Sequence, residues 1–214
     1  MGIPQITLEA RGIYHIYNYA VGTDKLFKED ENYRYFLWKY QERTKPFSET
    51  LTYCLLPDQF HFVLGIKDRD VLTNLWELKL EKLKKKWEKI PSQDTAEYLL
   101  LDHLIVFEFA NLFNAYVQAF NKRFDRRGTL LRESFQRKLI ASDIDLVKLI
   151  CRIHNFPVNH GLVSKKENWK FSSYNKILSR EKTFVLKDEI LKLFGSPQDF
   201  IELHERFRNE DPGY

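Results

Sequence analysis

A chain of 214 residues, 43% hydrophobic and 15% aromatic, can bury a substantial core in one domain with some elaboration. No apolar stretch reaches the roughly 18 residues that a membrane span needs. The opening residues also lack the basic region and long apolar run of a secretory leader, so a cytoplasmic protein with no membrane partner is expected. The net charge of +4 is unevenly placed: residues 122–138 hold seven Lys or Arg against two acids, so the rest of the chain sums to −1.

Alternation from Ile13 to Ala20 predicts a strand, with Tyr14, Ile16 and Asn18 on one face and His15, Tyr17 and Tyr19 on the other. In "DENYRYFLWKYQERT" the positions Tyr33, Phe36, Leu37 and Tyr40 have helical spacing. Two apolar runs then flank a Pro-Asp turn, so a hairpin is expected from about Thr50 to Lys67. Its second strand opens with Gln59, Phe60 and His61, which points Gln59 and His61 to one face and Phe60 to the other. A polar pair at i and i+2 is the spacing of a metal-binding histidine pair, yet its first member is a glutamine.

Residues 72–90 place Trp76, Leu80, Leu83, Trp87 and Ile90 on one stripe of an amphipathic helix with a basic outer face. "PSQDT" at 91–95 is expected to break the chain before a long helix over about 103–124, carrying Phe109, Leu112, Phe113, Tyr116 and Phe120 on one side. Gly128 in "DRRG" is expected to cap that helix in the left-handed conformation. "FQRKLIA" reads as a strand, followed by a helix with Ser142 as N-cap, Asp143 and Asp145 in its first turn, and Pro157 as its stop. On this helix Leu146, Leu149, Ile150 and Ile153 form the buried stripe, while Lys148, Arg152 and Phe156 share another face. The tail reads as two short helices around "GSPQD". Cys54 and Cys151 have no ligand-like spacing and lie among apolar neighbours, as buried free thiols do. This order of elements predicts an α+β fold, an antiparallel sheet with helices on one face.

Several blocks resemble the REP-associated tyrosine transposases, a group of the single-tyrosine HUH transposases: "YHIYN", "YCLLPDQFHFVLGIK", "NAYVQAFNKRFDRRGTLL", "RIHNFPVNHGLV" and "WKFSSY", in that order across about residues 12–178. The resemblance implies a ferredoxin-like fold over residues 1–180, with a helical insertion at about 71–100 and a C-terminal helical extension at 181–214. It implies a protein that handles single-stranded or hairpin DNA, and leaves monomer and homodimer both open. In active relatives two histidines hold Mg²⁺ or Mn²⁺, a helix tyrosine attacks the scissile phosphate, and a polar residue one turn later completes the metal site.

At these positions this sequence departs from the family. The first metal histidine is Gln59 and the second is His61, the nucleophilic tyrosine is Arg152, and the helix metal ligand is Phe156. The arginine and glycine usual after "YN" are Tyr19 and Ala20. Gln59 still offers a carbonyl oxygen to a hard ion, Phe156 offers nothing, and a guanidinium is no nucleophile. His154 and His160 read as packing or capping residues. The leading expectation is therefore a DNA-binding protein without tyrosine chemistry or a metal cofactor. Its DNA contacts would come from Lys122, Arg123, Arg126, Arg127, Arg132, Arg137, Lys138, Lys148 and Arg152, with Tyr17, Tyr19 or Phe124 stacking on bases. A metal-dependent nuclease or transposase with a displaced tyrosine, and a protein-binding remnant using the 72–90 helix, are the alternatives.

Overall fold

A computed structural model describes residues 6–84, 93–132 and 135–208, of which 79–84 and 93–101 as backbone only. Strand β1 (Ile13–Tyr19) leads into helix α1 (Asp30–Thr44), which starts at a capping box formed by Glu29 and Asn32. Strands β2 (Ser48–Leu56) and β3 (Gln59–Ile66) follow as the expected hairpin. Helices α2 (Arg69–Lys84) and α3 (Gln93–Arg123) precede β4 (Gln136–Leu139), and α4 (Asp143–Asn159), α5 (Tyr174–Leu178), α6 (Lys187–Phe194) and α7 (Pro197–Arg206) complete the chain.

The sheet has four antiparallel strands in the order β2-β3-β1-β4. That is the split β-α-β arrangement of a ferredoxin-like fold, as the sequence predicts. The central strands β1 and β3 are buried on both faces. On one face Phe60 and Phe62 meet Phe36 and Tyr40 of α1 and Phe113 of α3. Helix α4 lies across the opposite face, where His154 meets Thr52 and Phe156 meets His61. The α+β sheet therefore carries helices on both faces where one was expected, because its central strands are apolar or aromatic on both sides.

Three boundaries differ from the sequence reading. Helix α3 begins at Gln93, so residues 93–95 of the expected break are already helical; Asp94 and Thr95 suit a first helical turn. Its C-terminus closes at Asp125 (φ 45°), where the Arg126 N–H reaches the Asn121 carbonyl at 2.9 Å. Asp tolerates the left-handed region well enough for this, while Gly128 (φ 85°) serves the following turn. Helix α4 runs two residues past Pro157, because a proline in the final turn removes only one donor. It ends at His160, whose N–H bonds Phe156 O at 2.8 Å. Ser142 is the N-cap, its Oγ accepting the Asp145 N–H at 3.2 Å. Of the expected stripe on residues 72–90, the side chains of Leu80, Leu83, Trp87 and Ile90 lie outside the described residues, as do Pro91 and Ser92 of the break. Cys54 and Cys151 are both buried, as expected.

Candidate nucleic-acid interface

The register Tyr17↔His61 and Tyr19↔Gln59 brings the polar face of β1 alongside the polar pair of β3. A hydrogen-bonded chain results: His15 Nε2 to His61 Nδ1 at 3.0 Å, His61 Nε2 to Gln59 Oε1 at 3.2 Å, and Gln59 Nε2 to His160 Nε2 at 3.3 Å. Its direction follows from Gln59. The carbonyl oxygen can only accept, so His61 donates through Nε2 and, being neutral, accepts through Nδ1. His15 therefore donates to His61, and the Gln59 amide donates to His160. Burial pushes His15 down to about 3, helped by the nearby cations Lys138 and Arg152. Burial also holds His61 well below the ordinary histidine range, with His15 and His160 acting in the same direction.

Aromatic rings close this chain on two sides. Tyr17 packs beside both His15 and His61, its ring near parallel to theirs with centroids 4.5 and 5.7 Å away, and is itself buried. Phe156 of α4 lies 4.6 Å from the His61 ring. Toward β4 the face opens: Tyr19 is half-buried, and Gln136 and Lys138 are exposed. The exposed Arg132 holds its guanidinium 4.8 Å over the Tyr19 ring. Arg152, half-buried on α4, is close enough to His15 to depress its pKa.

The basic segment is divided by what its members touch. Lys122 and Arg127 are exposed beside the end of α3. Arg123 is also exposed but bonds Glu29 through Nε at 3.0 Å, and Arg126 is paired with Asp24. Arg137 lies opposite Ile16, on the face covered by α1 and α3, where it is buried against Asp102 at 3.1 Å. Its neighbour Lys138 lies opposite His15, on the same face as the histidine chain. Lys148 is turned to the tail, 5.7 Å from the Phe207 ring. Phe124 packs on Phe120, with Lys28 4.8 Å over its ring. Thus Arg132 lies over Tyr19 at one end of this face and Lys138 and Arg152 lie near His15 at the other, while Arg137 and Lys148 are directed elsewhere.

Sequence reasoning missed His15 as the partner of His61. The alternation around His15 was its available signal, but the pairing needed the β1–β3 register. A second buried network was equally hidden. His204 Nδ1 donates to Phe200 O at 2.6 Å, so its Nε2 accepts from His154 Nδ1 at 2.8 Å. His154 Nε2 accepts from one of the two hydroxyls Thr52 and Ser173, each 2.7 Å from it and 2.7 Å from the other. This network docks α7 onto α4. Among the described residues no group of three His, Cys, Asp or Glu side chains forms a metal-ligand cluster, and no helix is long and apolar enough to cross a membrane.

The fold is α+β with a ferredoxin-like antiparallel sheet, and a solved structure shares it. In particular, the chain is similar to a solved REP-associated tyrosine transposase bound to a REP hairpin, with a TM-score of 0.56 and 13% identity over 84% of this chain and 87% of that one. No family model and no curated protein matches the sequence.

Proposed function

We propose that this protein binds single-stranded or hairpin DNA along the β4 side of the β1–β3–β4 face and performs no tyrosine transesterification there. The observation that carries the reading is the row of cations along this side, from Arg132 over the Tyr19 ring to Lys138 and Arg152 near His15. Aromatic stacking beside cations is how sequence-tolerant single-strand binders hold bases and phosphates. The similarity to a hairpin-bound transposase supports the same ligand class.

The position of the expected nucleophile carries Arg152, whose guanidinium stays protonated and cannot attack phosphorus. The donor set around His61 does not fit a divalent cation. A metal takes the unprotonated nitrogen of a neutral imidazole, and in His61 that atom already accepts from His15. Both amide atoms of Gln59 are engaged with histidines, and Phe156 puts a hydrocarbon ring where a third ligand is expected. Gln59 thus replaces a metal bridge with an amide bridge between two imidazoles.

Nor do other tyrosines favour a displaced nucleophile. Tyr14 donates to Thr7 O, Tyr116 donates to Leu26 O, and Tyr174 is buried; desolvation raises the pKa of all three. Fluorescence anisotropy of a labelled DNA hairpin tests the binding reading. Arg132→Ala and Arg152→Ala are each expected to weaken binding, and unchanged affinity in both would place the interface elsewhere.

A further inference from the structure

A cavity lies on the far edge of the sheet from Arg132 and Lys138. It measures about 630 Å³ and is bounded by the end of α1, the outer edge of β2 and residues 182–186. The last segment is tied to the sheet by a bridge between Thr50 and Val185 and by the Leu186 N–H on Thr50 O at 2.9 Å. Lys45, Lys67, Lys176 and Lys182 line the cleft against one carboxylate, Glu49.

Lys176 bonds Glu181 at 2.8 Å, and Lys67 is positioned by the Lys45 carbonyl at 2.7 Å. Among the described residues Lys45, Lys67 and Lys182 make no ion pair. Phe184, half-buried, also lines the cleft, and its ring is backed by Tyr53 in a stack 5.4 Å apart and 14° off parallel. A rigid aromatic face beside ammonium groups of one sign is suited to a base joined to a phosphate, and the volume falls in the range of small-ligand sites.

We infer that this cleft binds a nucleoside phosphate, its phosphate on Lys67 and Lys182 and its base against Phe184. The ligand is either a free nucleotide or one unit of a strand. The inference stands on the cleft alone and does not require the binding face around Tyr19. Isothermal titration with deoxyadenosine 5′-monophosphate tests it, with inorganic phosphate, deoxyadenosine and an octamer of deoxyadenylate as parallel probes. The monophosphate is expected to bind more tightly than phosphate or nucleoside.

The Lys67→Gln/Lys182→Gln double variant should weaken monophosphate binding about tenfold, with an unchanged melting temperature, and Phe184→Leu should reduce the preference over inorganic phosphate. Arg132→Ala should leave monophosphate binding unaltered, which separates this cleft from the Tyr19 face. Tighter binding of the octamer through the same lysines assigns the cleft to a strand; equal binding assigns it to a free nucleotide. No binding of the monophosphate, or equal binding to the lysine double variant, overturns the inference.

Discussion

Acid should unfold this protein through its histidines. Four are buried and neutral: His15 and His204 are pushed down to about 3, and His61 and His154 are held well below their ordinary range, all chiefly by burial. Lys166 adds to the effect on His154 and His204. Each folded pKa lies below the unfolded value of about 6.5, so the unfolded chain takes up protons first. The stability is complete above about pH 6.5 and is lost as the pH falls toward the folded pKa. Between pH 8 and pH 5, His15 and His204 each remove about 2 kcal/mol, and His61 and His154 act in the same direction. The two alone, about 4 kcal/mol, are a large share of the roughly 5–15 kcal/mol that a domain has. Carboxylates titrate mostly below pH 5, so this window isolates the histidines. Urea unfolding followed by tryptophan fluorescence at pH 8, 7, 6 and 5 measures the loss. The His154→Gln/His204→Gln variant, lacking two of the four groups, should show about half the pH slope. An unfolding free energy that changes by less than about 1 kcal/mol from pH 8 to pH 5 would refute the assignment of neutral, buried imidazoles.

Removing the Gln59 bridge tests the hydrogen-bonded chain: Gln59→Leu leaves the buried His61 N–H without its acceptor and should cost about 1–3 kcal/mol by urea titration. His160 is exposed and finds water, so His160→Ala should cost under about 1 kcal/mol in the same titration. The basic segment should divide in the way its contacts do. Arg132→Ala should lower the slope of log affinity against log salt for single-stranded DNA by about 0.7. Arg137→Ala should instead destabilise the fold by about 1–3 kcal/mol, since it removes the cation from Asp102, which keeps the Leu8 N–H, and should leave the salt slope unchanged.

What could be read from the sequence was local. The alternation of β1, the helical spacing in α1, the Pro-Asp hairpin and the Ser142 cap depend on neighbours within a few residues, and each formed where expected. The start of α3 did not follow its turn-like residues, because Asp and Thr suit a first helical turn as well as a loop. The candidate site depended on contacts between distant segments. Arg123, Arg126 and Arg137 read as one basic run, yet they pair with Glu29, Asp24 and Asp102, partners set by tertiary packing. Likewise, the departure at Gln59 was visible as a missing histidine, but its present role required His15 and His160 to be brought beside it by β1 and α4. Tyr17 shared a face with Tyr19 as predicted, but it is buried against two histidine rings, whereas Tyr19 is half-buried.

The most direct test of the central claim incubates the protein with a labelled single-stranded hairpin and Mn²⁺. Native and denaturing gels of the same samples are then compared across a salt series. A complex that weakens steeply with salt is expected on the native gel, with no shifted band on the denaturing gel. A covalent protein–DNA adduct that survives denaturation would contradict the loss of tyrosine chemistry, and absence of any complex at low salt would contradict DNA binding itself.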